Sequence, residues 1–166
     1  MGFIKELILT ARLRNSEAAV RNFLPWDKTK TMALVIDSKT ASSKNAIDKF
    51  IYEADKVVDV YYIDIHVKES AIKNFITFTK QEKSFFGLPN GKASEKIIKK
   101  KYDLLINASF SELDFSSVLS NSIKATCKCG YQSRADELDM VVNCKEGQDL
   151  IKYLHGLVNY LKMIRN

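Results

Sequence analysis

Apolar residues change their spacing along this chain, and each change marks an element. Phe3, Ile4, Leu7, Ile8 and Ala11 recur at helical intervals with Arg12, Arg14 and Glu17 around them, which predicts an amphipathic helix from residue 3 to about residue 21. Pro25 ends it, because a residue before proline is driven out of the helical region. Leu24-Pro25-Trp26, followed by Asp27, Lys28 and Lys30, reads as a connection. The chain is therefore expected to divide into an amphipathic helix with its linker, 1–29, and an α/β domain, 30–166.

Met32 to Asp37, MALVID, is a continuous apolar run closed by an acid, the pattern of a strand buried on both faces of a parallel sheet. Ser38 to Ser43 supplies capping side chains before Ala46, Ile47, Phe50, Ile51 and Ala54 mark a helix of about three turns. Val57 to Val67, VVDVYYIDIHV, is β-branched and aromatic, so a second strand completes a βαβ unit. Phe75, Ile76 and Phe78 indicate another short strand. A polar loop follows, punctuated by Gly87, Pro89, Asn90 and Gly91.

Ile97 and Ile98 belong to a short helix before Asp103 to Ser109, DLLINAS, a second buried strand. Ser111, Glu112 and Asp114 open a helix through Val118, Leu119 and Ile123, with acids at the end where the helix dipole favours them. KATCKC and LDMVVNC are two further strands, the second running from Leu138 to Cys144. Leu150, Leu154, Leu157, Leu161 and Ile164 form one stripe of a closing helix that covers the core. This alternation predicts an open, mostly parallel Rossmann-like α/β sheet with helices on both faces, preceded by the N-terminal amphipathic helix.

With 166 residues, 46% of them hydrophobic and 28% charged, the chain is long enough for one core and too apolar for a disordered or low-complexity reading. Lys5, Glu6, Arg12 and Arg14 interrupt the first apolar stretch, which argues against a secretory signal or a membrane span. Glu6 stands where the myristoylation pattern needs Ser or Thr. Three cysteines in so long a chain point to a reducing compartment, so a cytoplasmic location is expected.

The net charge of +6 is concentrated between Lys80 and Lys101, where seven lysines face two glutamates. Such a patch attracts phosphorylated ligands, nucleic acid or an anionic membrane surface, although a solvated lysine-rich loop is the plainer reading. Lysine dominates over arginine, the residue suited to bidentate phosphate and base contacts, and no RNA-recognition or helix-turn-helix signature accompanies the patch. Nucleic acid is accordingly disfavoured.

In open α/β sheets ligands gather outside the carboxyl ends of strands, where the strand order reverses. That rule selects two loops. In the first, Asp37, Ser38, Lys39 and Thr40 offer hydroxyls, a lysine and a helix N-terminus to a phosphate or carboxylate, while plain helix capping explains them equally. Neither GxGxxG nor GxxxxGK[ST] occurs, so dinucleotide and P-loop cofactors are disfavoured and no cofactor is expected. In the second loop, Asn107 to Ser111, the side chains of Asn107, Ser109 and Ser111 are suited to hydrogen-bond a sugar-like ligand or to form the helix entry.

Asp64 and His66 are spaced to share one face of a strand and form a candidate acid/base pair. Cys127, Cys129 and Cys144 lack a fourth ligand and the paired-knuckle spacing of a zinc site, and read as buried thiols with no metal.

FFGLPN (85–90), YDLLINAS (102–109) and SNSIKATCKCG (120–130) together resemble a short Rossmann-like family of Bacteroidota catalogued as a domain of unknown function. The resemblance spans about residues 30–160; it implies the fold and no activity. Cys127 and Cys129 are not part of that pattern. More distantly, YDLLINAS followed by a helix and a strand ending in glycine is similar to the N-terminal, acceptor-side half of heptosyltransferase-like glycosyltransferases. Here, however, DSKTAS replaces their Gly-Asp loop, and 166 residues leave no room for a nucleotide-sugar domain.

Three functions are compatible with this reading. The first is a cytoplasmic binding domain for a partner protein or a small anionic or sugar-like ligand. The second is a transferase-like enzyme or subunit using Asp37, Asp64 or His66 as acid/base. The third is a protein that docks on a partner or, peripherally, on a membrane through its N-terminal helix and lysine-rich loop. The oligomeric state is not encoded in these patterns.

Overall fold

In a computed structural model the described residues are 23–41, 43–67, 72–85, 87–111, 113–131, 138–143 and 149–164. The expected helix over 3–21 and Cys144 lie outside them. Six strands form one sheet: β1 (Thr31–Asp37), β2 (Val57–Asp64), β3 (Phe75–Thr79), β4 (Lys101–Asn107), β5 (Lys124–Gly130) and β6 (Met140–Val141). Their spatial order is β3-β2-β1-β4-β5-β6 and every pairing is parallel. The order runs one way from β1 to β3 and the other way from β4 to β6, so the sheet reverses between β1 and β4.

The apolar run of β1 explains its central place, because Met32 through Ile36 and Asp37 are all fully buried. Met32, Leu34 and Ile36 enter one core with Phe50 of α1 (Lys44–Ala54) and Leu154 and Leu157 of α4 (Leu150–Met163). Ala33 and Val35 enter the other, with Ile97 of α2 (Lys92–Lys99) and Phe115 and Leu119 of α3 (Leu113–Ser122). The period-two alternation of a strand thus feeds two helical layers. Ser43 caps α1 by accepting from the Ala46 amide, and Asp149 caps α4 by accepting from Ile151 and Lys152.

Two strands are shorter than their composition predicts. β2 stops at Asp64 instead of Val67 because both neighbours stop there: Asp37 is the partner of Ile63, and Thr79 the partner of Asp64. Beyond that point no ladder remains, and the chain turns through His66. The stretch expected as a strand over Leu138–Cys144 pairs only at Met140 and Val141, since β5 offers only Cys129 and Gly130 as partners. Gly130 itself is required by close approach, because a Cβ there would lie 2.3 Å from the Asn107 carbonyl oxygen.

Candidate functional site

The reversal between β1 and β4 brings together the two loops that the strand-end rule selects. Asp37, the last residue of β1, is fully buried, and its carboxylate collects six donors among the described residues. Oδ1 accepts from the amides of Lys39 at 3.0 Å and Thr40 at 2.8 Å and from the Ser111 hydroxyl at 3.0 Å. Oδ2 accepts from the Ser109 hydroxyl at 2.7 Å and the Ser111 amide at 3.0 Å. The Thr40 hydroxyl lies 2.8 Å from both oxygens, and its own oxygen accepts the Phe110 amide at 3.2 Å.

Burial alone would raise the Asp37 pKa, but the bonds from Ser109, Ser111 and Thr40 outweigh it and hold the carboxyl below its ordinary value. Asp37 is thus an anion with its oxygens occupied, clasping the β1–α1 loop to the β4–α3 loop. Asn107 is equally buried; its side-chain oxygen accepts the Ser109 amide at 3.2 Å, and its amide group donates to Ser116 at 3.4 Å. The Phe110 ring, between Ser109 and Ser111 in the chain, is edge-on to Tyr131 and Tyr153 with centroids 5.0 and 5.2 Å away.

Of the other residues singled out above, Ser38 is half-buried and its amide donates to the Ile63 carbonyl, while the Lys39 side chain is exposed. Asp64 ends β2 and His66 lies in the following turn, so the strand alternation that would align the two stops two residues short of His66. Ser111 belongs to the second strand-end loop, and its pairing with Asp37 follows from the β1–β4 contact, whereas Asp37 and Thr40, three apart at a strand end, carry the local signature of an Asp-closed turn.

Residues 3–164 match a family of unknown function, DUF6913. The chain belongs to that family. No curated protein and no solved structure matches it. The DUF6913 match begins before Phe23, so the family pattern includes the N-terminal stretch that precedes the sheet.

Elsewhere in this DUF6913 chain, Cys127 and Cys129 are buried free thiols on one face of β5, and burial raises both above the usual thiol pKa. No group of His, Cys, Asp and Glu suited to a metal occurs among the described residues. At the opposite edge of the sheet, the Tyr61 and Tyr102 hydroxyls lie 2.7 Å apart in the core, and Tyr102 donates to Asp59 at 2.6 Å. Lys100 meets the same Asp59 oxygen at 2.6 Å. Where β1 and β2 begin, an open groove of about 550 Å³ is lined by Lys30, Ile51, Tyr52, Lys56 and Val57 with Asp27 and Asp55.

Proposed function

We propose that this DUF6913 protein is a cytoplasmic docking module that binds a partner through its surface, with no catalytic chemistry at its strand ends. The observation that supports this reading is the Asp37 clasp. A Rossmann-like sheet offers a ligand site because two loops diverge where the order reverses, leaving a crevice with unpaired polar groups. Here the same polar groups are directed at one another.

A small anionic or sugar-like ligand would have to replace the bonds among Asp37, Thr40, Ser109 and Ser111, and each buried group left unpaired would cost about 1–3 kcal/mol. The transferase reading asks Asp37 to take up a proton. A carboxylate stabilised as the anion by six donors is a poor base, which places that reading second.

The test is a thermal-shift screen of the full chain against nucleotides, nucleotide sugars, sugar phosphates and simple anions. No salt-tolerant shift is expected. A ligand at about 100 times its Kd would add roughly 2.7 kcal/mol to stability; such a shift, abolished by Asp37→Asn or Ser109→Ala, would overturn the docking reading in favour of a strand-end site.

A further inference from the structure

In a parallel sheet all strands begin at one edge, and in this one the edge is lined with lysine. β2 follows Lys56, β1 follows Lys30, β4 follows Lys99 and Lys100 and opens with Lys101, and β5 opens with Lys124. These four strands are consecutive in the sheet, so the lysines form a row across it. Lys101 and Lys124 are direct register partners on neighbouring strands. Both are exposed, and neither forms an ion pair among the described residues. Like charges directly opposite each other destabilise a sheet. The helix dipoles, whose negative ends lie at this edge, favour lysine here without requiring two of them face to face.

The acids nearby offset part of the row: Asp59 pairs with Lys100, and Asp27 and Asp55 line the same groove as Lys30 and Lys56, which leaves Lys101 and Lys124 at the centre of the row. Asp59 is taken by Lys100 and Tyr102, and Asp103 by the amides of Lys30 and Thr31. Apolar side chains stand among the lysines: Val57 is 69% exposed and Tyr52 87%. A nucleic-acid backbone would leave those groups without partners, whereas the headgroup region of a bilayer takes both charged and amphipathic side chains. The chain before Phe23 lies outside the described residues. Its sequence is patterned as an amphipathic segment, with Lys5, Arg12, Arg14 and Arg21 against Glu6 and Glu17. Stable peripheral attachment takes two such signals.

We propose that the lysine row at the amino-terminal edge of the sheet, centred on Lys101 and Lys124, docks this protein on an anionic lipid bilayer. The proposal rests on the docking-module reading and names its partner.

The test is co-sedimentation of the full chain with vesicles of phosphatidylcholine alone and of phosphatidylcholine mixed with phosphatidylglycerol, at low and moderate salt. Binding to the anionic vesicles only, weakened by salt, is expected. The double variant Lys101→Glu/Lys124→Glu should lose affinity by roughly tenfold or more. Lys92→Glu/Lys152→Glu, with the same change in net charge on exposed helical positions away from the edge, should bind nearly as the parent does. Lys124→Glu alone places an acid opposite Lys101 and should melt no lower than the parent while binding less, which separates docking from folding.

No binding to phosphatidylglycerol vesicles at low salt, equal loss in the two double variants, or preference for a DNA duplex over the vesicles would each overturn the proposal. A ligand-specific melting shift would remove the docking-module reading by itself. A flat ligand screen without vesicle binding would remove only the bilayer.

Discussion

The Ser109 hydroxyl donates to the Asp37 carboxylate at 2.7 Å across the point where the sheet reverses. One bond therefore joins the carboxyl ends of β1 and β4, which the chain separates by 72 positions. Replacing Asp37 by Asn keeps the shape but turns an NH2 group toward donors. Asp37→Asn should destabilise the fold by about 2–4 kcal/mol, measured by chemical denaturation. A loss below about 0.5 kcal/mol would mean the clasp is not formed in solution.

The same group sets a pH dependence. Its folded pKa lies below the ordinary carboxylate value because hydrogen bonds from Ser109, Ser111 and Thr40 outweigh burial. The anion is therefore stabilised by folding, and the contribution is fully present above the unfolded value of about 4. It is lost as pH falls through the lower folded value. Stability measured from neutral pH down to about pH 2 should decline more steeply in the parent than in Asp37→Asn; parallel curves would contradict the assignment.

The tyrosine pair predicts an asymmetry. Tyr102→Phe leaves the Tyr61 hydroxyl buried without its partner, a cost of about 1–3 kcal/mol. Tyr61→Phe is milder, since Tyr102 still donates to Asp59. The double variant should be less destabilised than the sum of the two single variants, as a double-mutant cycle by denaturation would show.

Two glycines should respond with opposite signs. Gly130→Ala drives a methyl into the Asn107 carbonyl, which is fixed by the Tyr131 amide at 3.1 Å, and should cost about 1–3 kcal/mol. Gly156, inside α4, has nothing within 4 Å of the place a methyl would take. Gly156→Ala should stabilise by about 0.5–1 kcal/mol through helix propensity. Melting curves of the two variants decide both.

What could be read in the chain followed how local its cause was. MALVID announces β1 because burial on both faces leaves no polar position to interrupt it, and the stripe from Leu150 to Leu161 announces α4 for the same kind of reason. The end of β2 at Asp64 was not legible, because it is set by where β1 and β3 stop. At the candidate site, the strand-end rule located both loops, and Asp37 with Thr40 is a local signature. That the carboxylate is also taken by Ser109 and Ser111 depends on the β1–β4 pairing, which no local pattern carries. The lysine row emerges in the same way: 56, 30, 101 and 124 are scattered in sequence and aligned only by the strand order.

The central claim is that the strand-end crevice is closed by the protein's own loops. Amide hydrogen exchange at Thr40 and Ser111, followed by NMR in the parent and in Asp37→Asn, tests it most directly. Both amides donate to Asp37. Slow exchange in the parent, accelerated together at both sites in Asp37→Asn, is the predicted result. Exchange at the rate of an open loop in the parent would contradict the clasp and return the crevice to a ligand.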